Sequence, residues 1–139
     1  MTNKKINVAI VGLGNISKKH INAINKFKKF RLVSACDPKK EIKGIKNYKS
    51  IDKMLKSQKN IDIVSIASPS GEHFSQIFRS LRFKKNVIVE KPMCMNFLQA
   101  KKLLNYSVKF KREVFVVYQN RLNPLVKIVK NKISNQTLG

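Results

Sequence analysis

Ile6-Asn7-Val8-Ala9-Ile10-Val11-Gly12-Leu13-Gly14-Asn15-Ile16-Ser17 decides the fold of this chain. The first six residues are short, β-branched and apolar on both faces, the pattern of a strand buried inside a parallel sheet. Lys4 and Lys5 ahead of this run imitate a secretory leader. Asn7 interrupts the apolar stretch and no small-residue cleavage site follows cleanly, so a buried strand explains the residues better. The rest has the form G-x-G-x-x-S. Gly12 permits a tight turn from strand to helix, Gly14 lets a pyrophosphate approach the backbone, and Ser17 is nearly small enough for the helix to pack closely on the sheet. A helix opening near Asn15 and Ile16 offers free N–H groups and its positive dipole end to phosphate. Such a pattern is weak evidence alone, and an ordinary glycine-rich turn is the alternative. Its place after a strand and before a helix gives it weight.

Outward from this loop, strands and helices alternate. Ile16, His20, Ala23, Ile24 and Phe27 recur at steps of three and four, one face of a helix. Packing is the simpler role for His20 on that face. Arg31 to Cys36 reads as a second strand, and Ser50 as the cap of a short helix carrying Ile51, Met54 and Leu55. Ile61 to Ala67 reads as a buried strand. Phe74, Ile77, Phe78 and Leu81 line one helix face, and Asn86 to Val89 a further strand. Asn96 with Gln99 resembles a capping box, opening a helix whose expected inner face is Ala100, Leu103, Leu104 and Val108. Val114 to Val117 is another strand. Leu125, Ile128 and Val129 begin a last helix after Pro124. This order predicts an α/β protein of the Rossmann kind, a doubly wound parallel sheet with helices on both faces.

Asp37 ends the second strand about 20 residues beyond the glycine loop, where such a fold places the acid that accepts hydrogen bonds from the adenosine ribose. A carboxylate there repels a 2′-phosphate and favours NAD. Lys39 and Lys40 keep NADP open, since either could reach such a phosphate. Asp37-Pro38 also suits a plain turn after a strand.

The 139 residues suffice for one core. Thirty Lys and Arg stand against seven Asp and Glu, a formal net charge of +23. Polyanion attraction is one explanation. Compositional bias is the other, because lysine far outnumbers arginine and the lysines are spread along the chain. No basic stripe is interleaved with aromatics of the kind that stacks bases, so no specific nucleic-acid partner is expected. No apolar run approaches the roughly 18 residues of a membrane helix. Cys36 and Cys94 form no CxxC, so neither a disulfide framework nor a metal site is expected, and the cytoplasm is the default compartment.

Three further clusters fall at strand ends: Ser68-Pro69-Ser70 with His73, Glu90-Lys91-Pro92, and Tyr118-Gln119-Asn120-Arg121. Together with Gly12-x-Gly14 and Asp37 they resemble the glucose–fructose oxidoreductase / inositol dehydrogenase / MocA family over roughly Lys5 to Gly139. Glu90-Lys91-Pro92-Met93 is the most recognisable motif. The run Val116 to Pro124 is similar to the branch acting on nucleotide-linked sugars, notably dehydrogenases that oxidise C3 of UDP-N-acetylglucosaminuronate on the way to surface-polysaccharide sugars. The resemblance implies an NAD(P)-dependent oxidoreductase moving hydride between nicotinamide and a sugar hydroxyl. It implies that Lys91 is catalytic, beside the nicotinamide and the reacting carbon, where an ammonium stabilises the developing alkoxide. A solvated lysine is the alternative. It implies that Glu90 contacts a cofactor ribose and that Ser68 and Pro69 line the dinucleotide. Asn120 and Arg121 would face the nicotinamide end or the substrate, with a surface role open for Arg121. His73 would lie near the site or cap its helix. It also implies a dinucleotide domain over residues 1–121, with 122–139 leading toward a substrate domain that this chain lacks. On that expectation the chain is truncated, with little turnover alone, and full-length relatives form homo-oligomers. The competing readings are a non-catalytic NAD-binding module and a basic nucleic-acid-binding protein.

Overall fold

A computed structural model describes residues 4–137. Six strands form one parallel sheet: β1 (Ile6–Val11), β2 (Phe30–Cys36), β3 (Lys46–Tyr48), β4 (Ile63–Ile66), β5 (Asn86–Glu90) and β6 (Val114–Val117). Five α-helices accompany them: α1 (Ser17–Lys26), α2 (Ile51–Ser57), α3 (Ser70–Arg82), α4 (Phe97–Phe110) and α5 (Pro124–Ser134). A 3₁₀ turn, Gln119–Leu122, precedes α5. The strand order is β3-β2-β1-β4-β5-β6. The chain therefore winds outward in one direction from β1 to β3, then restarts beside β1 at β4 and winds the other way. That reversal opens a crevice beyond the carboxyl ends of β1 and β4, where sheets of this kind bind ligands.

The centre of the sheet is buried on both faces. Ala9 and Val11 pack with Val64, Ile66, Val87 and Val89 against α2, α3 and α4, through Met54, Leu55, Ile77, Leu81 and Leu103. Ile10, Leu13 and Ala35 face α1 through Ile21. Asn7 is tolerated inside β1 because its side chain is fully used. Its Nδ2 donates to Asn60 O at 2.8 Å, and its Oδ1 accepts from Arg31 Nε and Nη2 at 3.1 and 2.9 Å.

Four expectations are corrected. The strand β3 was not foreseen: three residues, Lys-Asn-Tyr, carry too little periodicity to read, and pairing with Ser34 to Cys36 makes them a strand. Ser50 has extended backbone ahead of α2, but its hydroxyl caps nothing. In α4 the inner face is Leu103, Tyr106 and Phe110, while Leu104 and Val108 are exposed. Two apolar stripes share that helix, and periodicity alone does not say which one meets the sheet. In α1 only Ile24 of the apolar stripe is buried, and Phe27 is 57% exposed. The helix covers β1 and β2, and beyond it an open cavity of about 410 Å³ lies over β4, β5 and β6. The capping box at α4 does form. Asn96 Oδ1 accepts from Gln99 N at 2.9 Å, and Gln99 Oε1 accepts from Met95 N at 3.0 Å, one residue earlier than the usual reciprocal bond. The helix after Pro124 also forms, capped by Asn123, with Leu125, Ile128 and Val129 exposed.

Gly12 fixes how closely β1 and β4 come together at their carboxyl ends. Its φ is +85°, and a Cβ there would lie 2.5 Å from Ser68 N and 2.6 Å from Ser68 Cα. Gly12→Ala should therefore cost about 2–4 kcal/mol from left-handed backbone strain and overpacking combined. Urea unfolding followed by circular dichroism will measure it; an unchanged midpoint would show that the β4 end gives way freely.

Candidate dinucleotide-binding site

The crevice is a groove of about 770 Å³. Gly12, Gly14, Asp37, Ser68 and Pro69 all line it, so five of the residues singled out in the sequence converge there. One wall is the phosphate loop. Gly12 N donates to Cys36 O at 2.8 Å, and Ser17 Oγ donates back to Gly14 O at 2.6 Å, closing the turn ahead of α1. Ile16 holds the N-cap position without a side-chain cap. Among the described residues none accepts a hydrogen bond from the N–H of Gly14, Asn15 or Ile16. These donors, with the dipole of α1 behind them, suit a pyrophosphate. The space is there too: a Cβ on Gly14 would meet no protein atom within 4 Å. The residues present therefore fit a bound dinucleotide.

Asp37 forms the other wall. Its Oδ2 accepts from Leu13 N at 2.8 Å, and its Oδ1 from Lys39 N and Lys40 N, both at 2.9 Å. Burial pushes its carboxyl upward, but the three N–H donors and the Lys40 charge outweigh that and hold its pKa below the ordinary 3.8. The carboxylate is thus tied to the phosphate loop itself. Lys49 and Arg79 also reach the groove, but each is paired, with Glu41 at 3.0 Å and Asp52 at 2.7 Å. Lys39 and Lys40 are left as the groove's unpaired cations among the described residues. Beneath the groove, burial pushes the Cys36 thiol up to about 11, so it stays protonated and inert near neutral pH.

The other candidates lie apart. Lys91 is exposed just past β5. Glu90 turns away from the groove, 8% exposed, into the cavity beside α1. Its carboxylate meets His20 Nε2 at 3.1 Å and accepts from Lys91 N at 3.3 Å, so it is already held by the protein. Ile16 lines that same cavity, and Asn15 is exposed at the loop tip. His73 is 1% exposed. Its Nδ1 lies 2.7 Å from Pro92 O and its Nε2 2.9 Å from Ser68 O. Both partners are carbonyl oxygens, so a neutral imidazole donates to one of them, and the buried ring does not itself line the groove. Nor does it cap α3, whose N-cap is Pro69. Asn120 and Arg121 sit on the exposed 3₁₀ turn outside the groove, with the Arg121 guanidinium 5.0 Å from the centre of the Tyr118 ring. His20 does more than pack, since its Nδ1 lies 2.7 Å from Ser65 Oγ. One signal was legible: a polar ring on an apolar helix face needs buried partners. Ser65 gave none, being a small residue inside a buried strand.

This fold and groove define a dinucleotide-binding Rossmann domain. Residues 6–118 match the family model of oxidoreductases with an NAD-binding Rossmann fold, the glucose–fructose oxidoreductase / inositol dehydrogenase / MocA family, and the chain belongs to it. It is similar to the WlbA dehydrogenase from Bordetella pertussis, solved in complex with NADH and UDP-GlcNAcA, at 33% identity and a TM-score of 0.88; the match covers 98% of this chain and 44% of that one. D-galactose-1-dehydrogenase from Rhizobium etli superposes with a TM-score of 0.87 at 28% identity, over 94% of this chain and 43% of that one. Galactose 1-dehydrogenase from Pseudomonas fluorescens is 32% identical over 90 residues, 64% of this chain and 30% of its own length. The chain spans less than half the length of these relatives. Among the described residues no helix is long and apolar enough to cross a membrane.

Two outcomes follow from the groove. Gly14→Ala should leave stability within about 0.5 kcal/mol yet weaken NADH binding at least about tenfold, because the added methyl occupies the cradle and not the core. Calorimetry of the parent and variant separates the two. Asp37 stabilises the fold above its unfolded pKa, and that contribution fades as pH falls through its depressed folded pKa. In acid titrations, Asp37→Asn should therefore be less stable than the parent at neutral pH and converge with it as pH falls through the depressed folded pKa of Asp37. A gap that persists at low pH would place the loss in something other than charge.

Proposed function

We propose that the groove binds NAD and that the chain is the cofactor half of an enzyme moving hydride between nicotinamide and a hydroxyl of a sugar or nucleotide-linked sugar. The observation that carries the cofactor choice is the Asp37 carboxylate. It stands at the end of β2, tied to the phosphate loop through Leu13 N–H, where a ribose diol can donate to it and a 2′-phosphate would be repelled. The nucleotide-sugar branch is supported by the run Tyr118 to Pro124 and by likeness to a protein solved with UDP-GlcNAcA. On this reading the product serves surface-polysaccharide sugar synthesis in the cytoplasm.

When bound, nicotinamide supplies the two-electron acceptor for the hydride. The chain's own groups divide the remaining work. The free N–H groups of Gly14 to Ile16 hold the pyrophosphate, Ser68 and Pro69 line the path between the two halves of the cofactor, and Asp37 orients the adenosine ribose. The Lys91 ammonium, at the carboxyl end of β5, would donate to the sugar oxygen and stabilise the negative charge that builds there as the hydroxyl gives its proton to a general base, while the hydride passes to nicotinamide and a carbonyl forms. Asn120 and Arg121, on the turn after β6, face the substrate side of the same sheet edge. Residues 1–121 form the dinucleotide domain and 122–139 lead toward the part that binds the sugar.

Titration with NADH and NADPH at moderate and high salt tests the cofactor assignment. NADH should bind more tightly than NADPH, keep its affinity in salt, and lose about tenfold or more in Asp37→Ala. Tighter NADPH binding, or affinity that collapses in salt equally for both, would leave the positive charge and not the groove as the cause of binding.

A further inference from the structure

The chain has two histidines, and both end beside Lys91. They approach from opposite faces of the sheet. His20 comes from α1, the helix that follows the phosphate loop. An ionised carboxylate only accepts, so His20 Nε2 carries the hydrogen and donates to Glu90 Oε1 at 3.1 Å, while Nδ1 accepts from the Ser65 hydroxyl at 2.7 Å. Glu90 Oε2 in turn accepts from Lys91 N. His73 comes from α3, on the other face, and sits 2.7 Å from Pro92 O, the residue on the far side of Lys91, while its second nitrogen meets Ser68 O in the groove wall. Glu90, before Lys91, is held by the His20 imidazole, and the carbonyl of Pro92, after it, lies within donating reach of His73, whose neutral ring donates to Pro92 O, the nearer carbonyl, and not at the same time to Ser68 O.

We propose that His20 and His73 are a pair of positioning residues that clamp the Glu90-Lys91-Pro92 turn and so fix where the Lys91 ammonium stands relative to the phosphate loop. Neither touches the cofactor. The surroundings of Glu90 make the clamp necessary. Val8, Ile88, Val117 and Ile24 surround the cavity it faces, and Ser65, Lys19 and Gln119 are the other polar residues lining it besides His20. Neither Lys19 nor Gln119 bonds to Glu90, so among the described residues His20 is its one side-chain partner there. A carboxylate with so few alternatives follows its donor. The same bonds tie α1 and β4 to β5. Ile16 of the glycine loop lines the same cavity as His20 and Glu90, so the loop and the Lys91 turn meet at one wall.

The inference rests on the proposed NAD reading, and the test separates the two. NADH is compared with ADP-ribose, which carries the adenosine and phosphate half but no nicotinamide. The chain has no tryptophan, so NADH emission is read without interference. In His20→Leu, NADH affinity should fall about tenfold while ADP-ribose affinity stays within about twofold. His20→Gln, whose amide reaches the place of Nε2 and can donate to Glu90, should recover most of the loss. His20→Asn, too short to reach Glu90, should not, and it serves in place of His20→Leu should that variant unfold. His73→Gln should weaken both ligands, NADH further, because Ser68 O belongs to the groove wall. If the folded His20 variants keep the parent's preference for NADH over ADP-ribose, or if Gln and Asn behave alike, the positioning role is wrong while the NAD assignment stands. If the parent binds neither ligand, the NAD assignment falls and the histidine role falls with it.

Discussion

The backbone of Gly12 lies so close to Ser68 that a methyl group would overlap it, and the organisation of the site depends on that approach. Two strands pointing the same way can end this near each other only if one of them leaves without a side chain. The contact brings the phosphate loop after β1 against the Ser68-Pro69 turn after β4. It also sets the depth of the crevice at the reversal in strand order. Parallel pairing of β1 with β2 then places Cys36 opposite Val11, so that Asp37, the next residue, reaches back to Leu13 N–H. A single tight approach thus organises the glycine loop with its free N–H groups, the Asp37 carboxylate and the wall between them.

Around that contact, polar side chains are tied to backbone groups of neighbouring segments. Asp37 accepts three backbone N–H groups, His73 lies between the Ser68 and Pro92 carbonyls and donates to one of them, and Asn7 donates to the Asn60 carbonyl and accepts from the Arg31 guanidinium at the opposite end of β1. In a dry interior each such group would be costly if left unpaired. Paired, each fixes a turn that has no other regular structure. Asp37 and His73 hold the turns at the carboxyl edge in this way.

The opposite tendency is seen along β6, α4 and α5. Phe97, Leu104 and Val108 form an uncovered stripe on α4, Phe115 is exposed on β6, and Leu125, Ile128, Val129 and Ile133 are exposed on α5. Together with the open cavity beside α1, these surfaces leave one flank of the domain with apolar area facing outward, more than isolated exposed side chains would account for.

The sequence by itself determined the fold class, the glycine loop, the place of Asp37 and most element positions, because these depend on local pattern: periodicity of apolar residues, glycine where backbone must come close, and acid at a strand end. It also carried the family, through Glu90-Lys91-Pro92 at the end of a strand. Tertiary structure alone decided what residues distant in the chain do to one another. Lys46 to Tyr48 became a strand only by pairing with β2, and Leu104 faced outward because Leu103, Tyr106 and Phe110 met the core first. His20 and Glu90, 70 positions apart, met because adjacent parallel strands and a covering helix carry them to one cavity, and His73 was drawn inward between two carbonyls instead of toward a ligand. Side-chain orientation across a sheet depends on register and on which face each helix covers, and neither quantity is written in the spacing of residues along one strand.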